Sequence, residues 1–420
     1  MVNSDHVWRA APVALAVALV VGLAGGWPDR SSGRVLAESP PPTEPVRLAT
    51  ADLRAAYAGP PESWPPFVVD EGVDAAELGV VPPVPFPDDN PYTEDKAKLG
   101  EQLFYDPRLS RTHQMSCASC HDPDLGWADG RTVSFGRDRL PLKRNAPTVL
   151  GTGHFDRLFW DGRADSLEDL TLKVITNADE MHGVGDMVAS KIGMIPDYRQ
   201  AFIDAFEDEI EFDDDDEPVS DPVTLERIGK AVATFVRTIE PGRSRFDRFV
   251  KRTSATGDTS QFSDEELYGL HLYRTQAKCM NCHHGPMMTD DLMHVTGLHL
   301  YTRPDDYDPG AFAVTGNPED RGAFKTPHLR HIERTVPYMH HGLFESLEVT
   351  VRAYNGGMRI GRPRGKYADD PEFPRLSPLI HELDLSEQDV RAIAAFLRTL
   401  TEPHRRVTPP DLPRGLYGRE

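Results

Sequence analysis

The sequence predicts a mainly α-helical protein built from two similar halves, with long loops and few, short strands. Three observations predict it. The pentad Cys117-Ala118-Ser119-Cys120-His121 recurs 162 positions later as Cys279-Met280-Asn281-Cys282-His283, and the two together use all 4 cysteines of the chain. Each pentad follows a helical segment of like pattern, Gly100-Glu101-Gln102-Leu103-Phe104 and Gly269-Leu270-His271-Leu272-Tyr273. Each half closes on a second like segment, Ala233-Thr234-Phe235-Val236-Arg237-Thr238-Ile239 and Ala394-Ala395-Phe396-Leu397-Arg398-Thr399-Leu400.

Cys-x-x-Cys-His is the attachment signature of a c-type haem. The two thiols bond to the porphyrin vinyl groups, and a histidine directly after the second cysteine turns back to ligate the iron. The pentads therefore predict two covalently bound haem c groups. Cys117, Cys120 and His121 hold the first, with His121 on the iron of haem 1. Cys279, Cys282 and His283 hold the second, with His283 on the iron of haem 2. Other uses of these cysteines fit poorly. Two tetrahedral zinc sites need more cysteine than the chain contains. A thioredoxin-like pair wants a βαβ setting that this sequence lacks. Helix, pentad, long loops and closing helix, used twice, is the plan of two cytochrome c-type domains. The loops are long because a haem supplies core that side chains otherwise provide.

In chain order, Arg9 precedes an uncharged apolar run over 10–26, with small residues at Ala24 and Ala37 beyond its middle. Residues 1–37 read as a signal peptide or membrane anchor, and the protein as periplasmic or otherwise exported. Residues 38–92 are proline-rich, with Pro40-Pro41-Pro42, Pro60-Pro61, Pro65-Pro66 and Pro82-Pro83, and predict a tether and extended arm with a short helix near 51–57. The N-terminal cytochrome c domain spans 93–242, its first helix capped by Thr93. The C-terminal domain spans 243–405, where Ser263 and Glu266 form a capping box. Val390, Ile393, Ala394, Leu397 and Leu400 share one face of its closing helix. A tail covers 406–420. Residues 207–217 hold nine acids in eleven positions, either a solvated, self-repelling loop or a docking site for a basic electron donor. The net charge of −21 excludes a nucleic-acid partner, which wants a basic face.

Further motifs carry a family resemblance. They are Arg144-Asn145-Ala146-Pro147-Thr148, Phe159-Trp160-Asp161-Gly162-Arg163-Ala164, Phe324-Lys325-Thr326-Pro327-His328-Leu329-Arg330 and Pro337-Tyr338-Met339-His340-His341-Gly342. With the pentads, they make residues 90–403 resemble the bacterial di-haem cytochrome c peroxidase/MauG family. The resemblance implies an enzyme that reacts with hydrogen peroxide at the N-terminal haem. Electrons arrive through the C-terminal haem from a small redox protein or other donor. The peroxidases carry a histidine ligand to the first iron in a Ser-x-Gly-His context. Here Ser134-Phe135-Gly136-Arg137 puts arginine in that place, and arginine stays protonated and does not ligate iron. The first haem is thus expected to be five-coordinate, with His154 as the rival that could fill the open position.

The place of the peroxidases' methionine ligand to the second iron falls on Tyr354, where MauG also carries tyrosine; Met358 is the rival. A phenolate is a hard donor that favours ferric iron. Asn177-Ala178-Asp179-Glu180-Met181 matches the family segment whose glutamate moves the proton during O–O cleavage, so Glu180 is the candidate acid/base. Trp160 matches the tryptophan between the haems, the candidate for sharing oxidising equivalents. The Asn145 side chain with the backbone carbonyls of Thr335 and Pro337 matches a calcium site. The sequence departs from MauG at Leu170, which stands where MauG has glutamine. Three readings follow: a peroxidase making water, a MauG-like enzyme oxidising a protein or small-molecule partner, and an electron-carrier cytochrome without catalysis.

Overall fold

The computed structural model describes residues 50–414. The apolar N-terminal run with its cleavage positions and the end of the tail lie outside the described residues. Among these residues the chain is helical, with one sheet of two-residue antiparallel strands, β1 (Met293–His294) and β2 (Phe324–Lys325). No helix among them is long and apolar enough to cross a membrane. A short helix, α1 (Thr50–Ala56), opens the arm. The first half carries α2 (Glu94–Tyr105), α3 (Leu167–Thr176), α4 (Gly185–Gly193), α5 (Pro196–Ala205) and α6 (Leu225–Arg237). The second carries α7 (Arg245–Thr256), α8 (Asp264–Arg274), α9 (Phe312–Thr315), α10 (Leu347–Asn355) and α11 (Glu387–Arg398).

The helix starts follow their capping residues. The Thr93 hydroxyl accepts from the Lys96 amide at 3.2 Å. Ser263 and Glu266 close a reciprocal capping box, at 3.2 and 2.8 Å. The repeated glycines set how the helices cross. A Cβ on Gly100 would lie 1.9 Å from the Ala231 carbonyl oxygen, and one on Gly269 1.9 Å from that of Ala392. Helix α2 therefore crosses α6, and α8 crosses α11, backbone against backbone, which only glycine permits. Beside each crossing sits an aromatic pair, Phe104 with Phe235 at 5.3 Å and Tyr273 with Phe396 at 5.1 Å between centroids. The main apolar residues form two cores, one within 99–239 and one joining the arm to 246–400.

A second repeat, offset by 180 positions, joins the halves. Leu158 bridges Ala164 as Tyr338 bridges Phe344. Ser166 then caps α3 as Ser346 caps α10. Glu168 on α3 pairs with Arg237 on α6 at 2.6 Å, and Glu348 on α10 pairs with Arg398 on α11 at 2.5 Å. Across the midline, the Asn145 amide donates to the His340 carbonyl at 2.7 Å and the Lys325 amide to the Trp160 carbonyl at 2.8 Å. The two bonds exchange equivalent positions, as a two-fold relation demands.

The described parts of the arm and of the tail each brace a half distant in sequence. The arm runs extended over the second half. Glu77 there forms a two-pronged ion pair with fully buried Arg274, whose guanidinium also donates to the Tyr57 hydroxyl at 3.0 Å. Asp70 pairs with Lys278 at 3.1 Å and accepts from Asn281 at 2.9 Å, inside the second pentad. The tail returns over the first half, where Arg108 donates to the Pro413 carbonyl at 2.9 Å and Gln102 to that of Asp411 at 3.1 Å.

Candidate active site

One cavity of about 730 Å³ is lined both by Cys117, Cys120 and His121 and by Cys279, Cys282 and His283. Each pentad forms a tight 3-10 turn, so its cysteines and histidine face the same space. The histidines are set as iron ligands. His121 Nδ1 lies 3.1 Å from the Trp127 carbonyl oxygen, and His283 Nδ1 lies 3.0 Å from that of Met288. A carbonyl only accepts, so each Nδ1 carries the proton and each Nε2 keeps its lone pair for a metal. Burial lowers both imidazole pKa values and holds the rings neutral. Burial also pushes the Cys117 and Cys279 thiols up to about 12, so neither is a reactive thiolate at neutral pH. The donor set, its orientation and the apolar walls fit two covalently attached haems. Cys282, Asp290 and His294 also gather their ligand atoms within 4.8 Å, but the Cys282 sulfur belongs to the second pentad.

The 180-position repeat sets the far walls. Leu167, Leu170, Thr171 and Val174 of α3 line the cavity, one helical face at spacings of three and four. Leu347, Thr350, Val351 and Tyr354 of α10 line it at the equivalent positions. Three of these four pairs differ, and the pair that bears on ligation is Val174 against Tyr354, where a side chain without a donor atom stands opposite a phenol. The Tyr354 phenol is buried beside Cys279 and Cys282, and its pKa is raised by burial first and by those two sulfurs next. Met358 does not line the cavity; it is 2 % exposed within the second apolar core.

Around the first pentad, Arg137 stands outside the cavity, its guanidinium donating to His182 Nδ1 at 3.3 Å. Its backbone amide bonds the Asp179 carbonyl at 2.9 Å, which pins this loop to the segment carrying Glu180. His154 also lies outside the cavity, hydrogen-bonded to Glu240 at 2.8 Å. Glu180 lines the cavity. The Asn177 amide donates to its Oε1 at 2.8 Å, and Arg163 stands 3.7 Å away. Burial pushes the Glu180 carboxyl up, against the pull of Arg163 and Asn177. The neighbouring acid Asp161 is held by Arg144 at 2.6 Å and Arg163 at 2.9 Å.

Trp160 lies between the halves. Its Nε1 donates to the Asn145 carbonyl at 2.9 Å, and its ring meets His340 edge on at 6.3 Å. His340 is its counterpart in the repeat and stacks on Phe324 at 3.5 Å. Asn145, Thr335 and Pro337 all line the cavity. Asn145 Nδ2 is committed to the Arg131 carbonyl at 2.6 Å, which leaves the amide oxygen as the group able to meet a cation. Sequence reasoning missed His340 as the partner of Trp160 and Val174 as the partner of Tyr354. The signal was present in the shared Ser-Leu-Glu of residues 166–168 and 346–348.

A helical frame presenting paired haem-attachment motifs to one cavity defines a c-type haem protein built for redox chemistry. The family model for di-haem cytochrome c peroxidase matches residues 94–255. The methylamine utilization protein MauG of Methylorubrum extorquens is 38% identical over 330 residues, covering 79% of this chain and 85% of that protein. Cytochrome c551 peroxidase of Nitrosomonas europaea is 32% identical over 311 residues, covering 74% and 81%. Among solved structures, a MauG-like protein associated with microbial copper homeostasis superposes with a TM-score of 0.65 at 32% identity, covering 77% of this chain and 94% of that one. The dihaem peroxidase BthA from Burkholderia thailandensis superposes at 0.60 and 25% identity, covering 82% and 94%. The chain belongs to the di-haem cytochrome c peroxidase/MauG family and is an oxidoreductase of that type.

Proposed function

We propose that this protein is a di-haem c peroxidase that reduces hydrogen peroxide to water at the first pentad, with electrons delivered through the second. The observation that supports it is the asymmetry of the cavity. Tyr354 offers the second site a ligand, whereas the equivalent residue of the first site, Val174, has no donor atom. The haem bound at Cys117, Cys120 and His121 supplies the iron at which peroxide is reduced. The residues do the rest. His121, fixed by the Trp127 carbonyl, ligates from one side. Glu180 takes the proton from the near peroxide oxygen and returns it to the far one, so that water leaves rather than hydroxide. Burial raises its pKa, which brings proton transfer within reach near neutral pH. Trp160, with His340 against its ring, shares oxidising equivalents between the halves. Asn145, through its amide oxygen, and the carbonyls of Thr335 and Pro337 would hold a calcium ion, which would supply a fixed positive charge between the halves.

In this reading residues 93–242 form the peroxidatic domain and 243–405 the electron-entry domain. The protein is exported, and its donor is a small redox protein or another electron donor. A MauG-like use of the same site, oxidising a protein or small-molecule partner, draws support from Tyr354 and from the 38% identity to MauG. The deciding experiment supplies the haem-loaded protein with hydrogen peroxide and a reduced small c-type cytochrome. Oxidation of two donor molecules per peroxide is the expected result. Failure to consume peroxide overturns the reading, and consumption with a cytochrome left reduced favours the MauG-like use.

A further inference from the structure

A line of alternating charges crosses from the second half to Glu180. Asp308 stands in the second half, where its own amide bonds the His299 carbonyl at 3.1 Å and its Oδ1 accepts from the Gly310 amide at 3.0 Å. It takes two nitrogens of Arg144, Nε at 2.7 Å and Nη2 at 2.8 Å. The remaining nitrogen, Nη1, donates to Asp161 Oδ2 at 2.6 Å. Arg163 takes the other Asp161 oxygen at 2.9 Å and turns its second terminal nitrogen toward Glu180 Oε1 at 3.7 Å. All five residues line the cavity, and their side chains are 8–31 % exposed. Only the last link is too long for a hydrogen bond.

The nitrogens of Arg144 decide how Arg163 is shared. Asp308 occupies two of them, so Arg144 meets only one oxygen of Asp161. The other oxygen keeps Arg163, whose guanidinium also lies over the Phe159 ring at 3.4 Å. Without the Asp308 carboxylate, Arg144 is free to turn both terminal nitrogens on Asp161, the two-pronged geometry that these groups favour. Arg163 is then released toward Glu180. We propose that Asp308 is a positioning residue for the peroxide reaction: by holding Arg144 to the second half, it keeps Arg163 on Asp161 and away from Glu180. The inference rests on the reading of Glu180 as the acid/base.

The consequence falls on the Glu180 proton. The charged and titratable groups facing Glu180 are Arg163 and Asp161 from the turn before α3, Asp179 beside it in sequence, and Cys120, which no longer titrates once bonded to haem. Arg137, on the loop packed against this segment, turns its guanidinium to His182 instead. Burial raises the Glu180 pKa, Arg163 is the largest opposing influence, and Asp179 and Asp161 add to the rise. An arginine drawn closer favours the carboxylate and lowers that pKa. One carboxylate of the second half thus helps to hold the acid of the first where it can both take a proton and return it.

The test is the pH profile of the peroxide reaction, measured by stopped flow on haem-loaded native protein, Glu180→Gln, Asp308→Asn, Asp161→Asn and the double variant of the last two. Asparagine keeps an oxygen for the Gly310 amide, so Asp308→Asn should hold its turn. Its inflection should move toward acid by about 0.5–1 pH unit, because a full opposite charge at close range is worth about 1–3 units and only part of Arg163 is redirected. Asp161→Asn frees Arg163 outright and should move the inflection at least as far; adding Asp308→Asn to it should move it no further. Damage to shape alone would lower the rate and leave the inflection in place. An inflection unmoved or moved toward base in Asp308→Asn, or a second shift of equal size in the double variant, overturns the relay and leaves Glu180 standing. A native profile without an inflection, or a Glu180→Gln profile that keeps one, overturns the acid/base reading and the relay with it.

Discussion

Replacing Glu180 by glutamine tests the acid/base assignment with little change of shape. The Asn177 amide, 2.8 Å from Oε1, keeps an oxygen to bond. Arg163 loses only a 3.7 Å contact and retains Asp161 at 2.9 Å. Folding stability should therefore change by less than ~1 kcal/mol. The catalytic loss is larger. Proton transfer by a placed side chain contributes about 10²–10⁴-fold. Of the neighbouring residues that line the cavity, Asp161 is tied to two arginines and Leu170 has no proton to give, which leaves the exposed Asp179 as the one nearby acid besides Glu180. We expect a fall of about 10³-fold in the rate of the peroxide reaction, ~4 kcal/mol of barrier. The pH profile gives a second readout. Burial raises the Glu180 pKa, so the native rate should climb through an inflection above the ordinary glutamate value, and Glu180→Gln should lack that inflection. The linkage has the same sign. A carboxyl bound more tightly to its proton when folded adds stability at acid pH, and this is lost as pH rises through the folded value. Stopped-flow mixing with peroxide across pH measures the rates. A variant within about threefold of the native rate, or one retaining the inflection, would refute the role.

Three further outcomes are expected. Tyr354→Phe removes the only donor atom that α10 offers the cavity at this position, so the absorption spectrum of the second haem should change while that of the first stays; an unchanged spectrum would return the ligand role to another residue. Gly269→Ala places a Cβ 1.9 Å from the Ala392 carbonyl oxygen and should destabilise the protein by ~3 kcal/mol or more in denaturant unfolding, the opposite sign to the ~1 kcal/mol gain usual for this change in an open helix. Glu77→Gln removes the carboxylate that pairs with buried Arg274 and leaves its charge to the Tyr57 hydroxyl and the faces of the Tyr57 and Trp64 rings, at a cost of ~3 kcal/mol in thermal unfolding.

What could be read from the sequence was local or repeated at one shift. The pentads and the paired glycines of α2 and α8 carry their meaning within a few residues, and the glycines prove to be the crossing points of both helix pairs. The equivalence of Val174 with Tyr354 was harder to see. Pentads and closing helices repeat at about one offset, but the segments between them are displaced by loops of unequal length, so no single shift aligns the halves. The bracing of each half by the arm or the tail was not legible at all. Glu77 meets Arg274 across 197 positions and Arg108 meets Pro413 across 305, and an isolated Glu or Arg in a proline-rich stretch gives no sign of its partner. The same holds for Asp308, which meets Arg144 across 164 positions.

The electron paramagnetic resonance spectrum of the oxidised, haem-loaded protein decides most directly between a vacant first iron and a capped one. A high-spin ferric signal from one haem beside a low-spin signal from the other is the result expected from Val174 and Tyr354. Two low-spin signals would mean that protein atoms fill both irons, and peroxide would then have no place to react.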